Sequence, residues 1–210
     1  MAPLPPRFYE RDPVRVARDL IGRLLVRDVD GERLVGRIVE AEAYARDDPA
    51  SHAFRGETRR NRSMFGPPGH AYVYRSHGIH RCLNAVTLSG SAVLIRALQP
   101  IQGLEAMVRR RGLVDPRLLC AGPGRLCQAF AIDLDDDGVD LCDERSLWVS
   151  GDEPAHEVAV TRRVGINVAV DLPWRFVEAD SRYTSRSAGW GRLAEAARPA
   201  RSARRGRGRR

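Results

Sequence analysis

The pair Asp30-Gly31 restricts this chain more than any other feature. It separates two extended runs in RLLVRDVDGERLVGRIVEAEAY, and a two-residue Asp-Gly turn supplies the left-handed backbone that closes an antiparallel hairpin. The fold must therefore contain an antiparallel sheet. The second strand ends in VEAEAY, Val39 to Tyr44. Side chains alternate along a strand, which puts Ile38, Glu40, Glu42 and Tyr44 on one face and the two carboxylates about 7 Å apart. Two like charges at that spacing raise one pKa or demand a cation opposite. A solvated face would accommodate them, but Ile38 and Tyr44 flank the pair.

A second hairpin is expected in HAYVYRSHGIHRCLNAVTL, hinged at Ser76-His77-Gly78, with Gly78 at positive φ and His77 at the tip. SAVLIRALQP reads as a further strand whose Ala92, Leu94, Arg96 and Leu98 share a face. An arginine inside an apolar strand needs a carboxylate, and one glutamate of VEAEAY would serve, leaving the other for chemistry. Asp12-Pro13 opens a helix in which Val14, Ala17 and Ile21 recur at helical spacing until Gly22. IQGLEAMVRRRG is a second helix, and GPGRLCQAF a short one opened by Pro123. SLWVS, RVGINVAV and WRFVEA read as strands, and the polar, Arg-rich stretch from Ala45 to Gly69 reads as a long loop. Loops of this length are functional or disordered.

With 210 residues and 43% hydrophobic content, the chain suits one core. The expected organisation is an N-terminal segment 1–11, a domain 12–181 and an Arg-rich, disordered tail 182–210. The start MAPLPP lacks the regions of a signal peptide, and no apolar run approaches the roughly 20 residues that span a bilayer. A cytoplasmic protein is expected. The four cysteines form no C-x-x-C pair, so reduced, buried thiols are expected rather than a zinc ribbon. The net charge of +8 is misleading: from Arg182 onward ten arginines face only Glu195, which gives +9 and leaves −1 for the rest. Such a tail attracts phosphate without specifying a function. There is no lysine among the 35 basic residues, which excludes a Schiff-base or lysine-base mechanism on any side chain.

DLDDDGVDLCDE places Asp133, Asp135, Asp137, Gly138 and Glu144 at calcium-loop offsets. An EF-hand needs a helix next, whereas SLWVS follows, so a polar turn is the expected reading and no metal is assigned. A different concentration lies between Tyr44 and His80. Tyr44, Tyr72, Tyr74, His52, His70, His77 and His80 are interleaved there with Arg55, Arg59, Arg60, Arg62 and Arg75. Rings beside guanidinium groups suit stacking on a base while phosphates are held. A tyrosine-lined core edge under a solvated loop is the plainer alternative.

The strings GRIVEAEAY, NRSMFGPPGHAYVY, GIHRCLN, VLIRALQP and GPGRLCQAFAI, in this order, resemble the alkyladenine (3-methyladenine) DNA glycosylase family over roughly Asp12 to Val177. The resemblance implies a single mixed α/β (α+β) domain: a curved antiparallel sheet, surrounding helices and a protruding hairpin that enters the minor groove. It implies a monofunctional enzyme, without lyase activity or cofactor, that excises alkylated or deaminated purines from double-stranded DNA by base flipping. By position, Glu42 resembles the general base that activates water, with Arg96 beside it. Tyr44, His52 and Tyr74 resemble the residues that contact the flipped purine, and Asn84 the amide that filters bases. The hairpin wedge, a tyrosine in the best-studied members, falls on His77 here. Arg75, Arg81 and Arg125 are candidate backbone contacts, the last with the amides of Gly122 to Gly124. A monomer in the cytoplasm, associated with the nucleoid, is the expected form. Two other classes compete: a hydrolase of free nucleosides using the glutamate pair, which needs neither hairpin tip nor Arg-rich loop, and a non-catalytic DNA binder.

Overall fold

The structure, a computed structural model, describes residues 1–151 and 157–185. The stretch 186–210, most of the expected tail, lies outside the described residues. The chain opens with a single helical turn, α1 (Pro6–Tyr9), and a second helix, α2 (Pro13–Leu20). Asp12 caps α2, accepting from Val14 N at 2.9 Å and Arg15 N at 3.3 Å. Its buried stripe is Val16, Ala17 and Leu20. The helix stops before Ile21, whose backbone is already extended, and Gly22 at φ 88° turns the chain into the sheet.

Strands β1 (Leu24–Val29) and β2 (Glu32–Tyr44) form the first hairpin, with Asp30 and Gly31 at φ 54° and 74° as the turn requires. Strands β3 (Ala71–Ser76) and β4 (His80–Val86) form the second, and β5 (Ala92–Gln102) runs beside β2. Helices α3 (Leu104–Arg111), α4 (Pro116–Leu119) and α5 (Pro123–Ala129) follow, then β6 (Leu147–Ser150), β7 (Val158–Thr161) and β8 (Arg175–Glu178). The result is a mixed α/β domain on a curled, wholly antiparallel sheet of order β3-β4-β5-β2-β1-β6. One edge of β2 is divided between β1, along residues 32–37, and β8, along 40–42. RVGINVAV is not a strand. Arg163 is buried and Gly165 sits at φ 80°, so the apolar alternation of this stretch belongs to a loop, while VAVT before it forms β7.

Helices cover one face of the sheet. Val16, Leu20, Met107, Leu119, Leu126 and Phe130 pack there against Ala41, Ala43, Ala71, Val73, Leu83, Ala85, Val93 and Ile95. Burying a side chain of this kind contributes about 1.5–3 kcal/mol. The alternate positions of the same strands make the other face. Two of the expected face assignments are wrong, for one reason. Ile38 and Leu98 pair with each other and belong to the helix-covered core, not to the face of Glu42 and Arg96. The register shifts between Ile38 and Glu40 and again between Glu40 and Ala41: Glu40 pairs with Ala97 and Ala41 with Ile95. Val39 and Arg96 are thus the extra residues of two facing bulges, which reverse the phase of alternation in both strands.

Candidate active site

Past the bulges the open face is consistent across five strands. Tyr72 pairs with Asn84, Asn84 with Leu94, Leu94 with Glu42, and Glu42 with Arg175, so one row of the sheet joins β3, β4, β5, β2 and β8. Above this row lies a cavity of about 690 Å³ whose wall includes Tyr44, His52, Tyr74, His77, Asn84 and Arg96. The sheet and the loop between β2 and β3 therefore bring the expected base-pocket residues to one cavity wall.

The aromatic wall is a fixed assembly. Tyr72 and Tyr74 stack at 5.4 Å and 27°, and His52 meets Tyr74 edge-on at 4.5 Å. His52 Nδ1 lies 2.9 Å from the Tyr72 hydroxyl. The loop carrying His52 is ordered by Asn61, which donates to His52 O at 2.8 Å and Gly56 O at 3.1 Å and accepts from Thr58 N at 2.6 Å. Burial, and then Arg60, lower the His52 pKa, which favours the neutral ring. Burial raises the pKa of Tyr44, Tyr72 and Tyr74, so their hydroxyls keep their protons. Asn84 donates to Tyr72 O at 2.8 Å and Cys82 O at 3.4 Å, which commits its N–H groups to the backbone.

Glu42 is fully buried. Oε2 accepts from the Tyr44 hydroxyl at 2.9 Å and from Arg96 Nη1 at 3.3 Å, and Oε1 accepts from Val164 N at 2.7 Å. Glu42 does not line the cavity, but Tyr44, Arg96 and Val164 do; the carboxylate lies one hydrogen bond behind the wall. Burial raises its pKa against the opposing pull of Arg96, the Val164 amide and the Tyr44 hydroxyl, with Glu40 adding to the rise. A buried carboxylate so held is a stronger base than one in water. Arg96 does not choose between the glutamates, as alternation suggested. It bridges them, with Nε 3.1 Å from Glu40 Oε1.

Beneath Tyr44 lies an ion pair outside the sequence reading. Arg163 and Asp48 have no exposed side-chain surface and bond to each other, and Arg163 also donates to Ala43 O at 3.0 Å. Its guanidinium lies 4.7 Å from the Tyr44 ring centroid and 5.3 Å from that of Trp174. The pair pins the start of the 163–170 loop, which places Val164 against Glu42. An Arg-Arg-Val-Gly string carries no signal for this; only the tertiary partner 115 residues away reveals it.

The β3–β4 hairpin ends in an exposed tip. His77, at φ 48°, has Nδ1 2.9 Å from Ser76 Oγ, and the neighbouring Ile79 is 71% exposed. Arg75 is exposed, and its carbonyl accepts from Arg60 Nη2 at 3.0 Å. Arg81 is paired with Asp133 at 2.6 Å, and Arg125, exposed at the start of α5, donates to Ala121 O at 3.3 Å. Three acids of the calcium-like string have structural partners. Asp133 caps the 3₁₀ turn Leu134–Asp136, Asp136 pairs with buried Arg27 at 2.7 Å, and Asp137 accepts from Ser63 Oγ and Val73 N.

Residues 7–182 match the family described as methylpurine-DNA glycosylase. Among similar chains, each named "Putative 3-methyladenine DNA glycosylase", one from Methanoculleus marisnigri is 52% identical over 190 residues, covering 87% of this chain and 98% of its own. One from Carboxydothermus hydrogenoformans is 48% identical over 188 residues, with the same two shares of 87% and 98%. A third, from Granulibacter bethesdensis, is 52% identical over 190 residues and 88% of each chain. Matched along residues 7–182 and about half identical to relatives that it covers almost end to end, this protein belongs to the methylpurine-DNA glycosylase family.

Proposed function

We propose that the protein is a monofunctional DNA glycosylase that hydrolyses the N-glycosidic bond of alkylated or deaminated purines, of the 3-methyladenine type, in duplex DNA. The observation that carries this reading is the Glu42 carboxylate held by Arg96, Tyr44 and Val164 directly behind an aromatic cavity. Its volume of about 690 Å³ suits a purine nucleotide turned out of the helix. Rings of Tyr44, Tyr74 and His52 take the flipped base, and an alkylated, cationic base gains further from the tyrosine faces. His77, at the exposed hairpin tip, fills the gap in the stack, while Arg75, Arg81 and Arg125 contact the backbone. For Arg81 this requires exchange of Asp133 for phosphate.

Water at the cavity wall beside Arg96, within reach of the carboxylate behind it, loses its proton to Glu42 and attacks the anomeric carbon as the purine departs. The ionised Glu42 also stabilises the oxocarbenium-like charge on the sugar. With no lysine in the chain, no side-chain amine competes with water as nucleophile, which fits hydrolysis without strand cleavage. The protein acts as a monomer on nucleoid DNA in the cytoplasm.

The test is base release from defined duplexes, each carrying 3-methyladenine, 7-methylguanine, hypoxanthine or ethenoadenine, and from the matching free nucleosides. Wild type should act on the duplexes, and Glu42→Gln should lose at least about a hundredfold in rate with lesion binding retained. Release from nucleosides alone would indicate a nucleoside hydrolase, and undiminished release by Glu42→Gln would remove the assigned base.

A further inference from the structure

We infer that Glu40 is the positioning residue of this site: it fixes the plane of the Arg96 guanidinium so that Nη1 faces Glu42, and it fastens Arg175 and Ser185 to the same point. The inference rests on the reading of Glu42 and Arg96 as the working pair. Glu40 has no exposed surface and no place in the cavity wall. Its Oε1 accepts from Arg96 Nε at 3.1 Å, Arg175 Nε at 2.8 Å and Ser185 Oγ at 2.9 Å, and its Oε2 accepts from Ser185 N at 2.6 Å. Three donors converge on Oε1 and one on Oε2, and the carboxylate has no exposed surface. Glu40 is therefore closed to water and substrate, unlike its neighbour two residues on.

The guanidinium is a rigid planar fork, so anchoring Nε sets the direction of both terminal nitrogens. Held by Glu40, Arg96 gives Glu42 one bond, at 3.3 Å, and directs the same nitrogen at Val164 O, also 3.3 Å away. Released from Glu40, the fork is free to turn toward Glu42 and pair with it bidentately. That arrangement satisfies the base and lowers its basicity. The groups facing Glu42 are Glu40 and Tyr44 on β2, Arg96 on β5, Cys82 on β4, Arg175 on β8 through Glu40, and the Val164 amide, with Arg163 beyond Tyr44. Of these only Glu40 opposes its ionisation by charge, so neutralising Glu40 should ease that ionisation.

Single-turnover excision across pH, with lesion-duplex affinity measured alongside, separates the possibilities for Glu40→Gln, Ser185→Ala and Glu42→Gln. Glu40→Gln should bind as wild type, excise roughly tenfold or more slowly, and show the acid limb of its rate profile at lower pH. Ser185→Ala, which removes one hydroxyl, should move rate and limb the same way by less. The inference is overturned if both variants keep the wild-type rate and limb, or if the rate falls only as binding or folded fraction falls while the limb stays. Should Glu40→Gln fail to fold, an unmoved limb in Ser185→Ala is sufficient to overturn it. Undiminished excision by Glu42→Gln overturns instead the reading of the site on which this role rests.

Discussion

Asp48→Ala should destabilise this protein more than most single changes at the site. Both side chains of the Asp48–Arg163 pair are fully buried. Arg163 reaches Asp48 Oδ1 from Nη2 at 3.1 Å, Asp48 Oδ2 and Ala43 O from Nη1 and Ala169 O from Nη2 at 3.4 Å, and its guanidinium lies over the Tyr44 and Trp174 rings. Without the carboxylate, a guanidinium remains in the interior with neutral partners only. Breaking a buried pair from one side costs about 3–5 kcal/mol, whereas replacing both partners with apolar groups is often close to neutral. For a domain of this size each kcal/mol moves Tm by about 2–4 °C, so Asp48→Ala should lower it by roughly 6–20 °C. Thermal and urea unfolding of wild type, Asp48→Ala, Arg163→Met and the double variant measure this directly. The double should be more stable than Asp48→Ala alone, with a coupling of at least about 2 kcal/mol. A Tm loss below about 3 °C, or strictly additive single effects, would refute the reasoning. Excision should also fall in the folded Asp48→Ala protein, because Arg163 immediately precedes the residue whose amide holds Glu42.

Folding raises the Glu42 pKa, so its contribution to stability is complete below the unfolded value and is lost as pH rises through the folded one. Glu42→Gln should therefore unfold at a Tm equal to or above that of wild type near neutral pH, with the difference shrinking on acidification; scanning calorimetry over pH checks the sign. His77→Tyr should strengthen lesion binding, because the larger ring fills more of the gap in the stack, as read by titrating a lesion duplex with each protein. Arg60→Gln should raise the His52 pKa toward the ordinary histidine value, because Arg60 is a cause of its depression; an NMR titration of the His52 ring reports it. Deleting the chain after Ala196, in the part outside the described residues, should flatten the salt dependence of DNA binding and leave excision intact.

Local chemistry made much of the fold legible. Asp30-Gly31 and Ser76-His77-Gly78 state their hairpins in the residues themselves, and the Asp12-Pro13 cap states its helix, because these signals act over two to four positions. The open face was partly legible: Tyr72 and Tyr74, Asn84, and Leu94 with Arg96 all lie where period-two alternation puts them. The errors at Ile38 and Leu98 come from bulges, which add a residue without a distinctive sequence. The loop at 163–170 mimics a strand because Val164, Ile166, Val168 and Val170 alternate, yet Val168 and Val170 are 49% and 42% exposed. No local pattern could reveal the partners of Glu40, since Arg175 and Ser185 lie 135 and 145 residues away.

The facing bulges at Val39 and Arg96 give this sheet a particular mutational geography. Substitutions along β2 exchange one side chain, but a single-residue insertion between Glu40 and the Tyr44 end would turn the strand by half a period. Ala43 would then face the cavity, and a carboxylate would be driven among Val93, Ile95 and Leu126. Length is consequently a harder constraint here than identity.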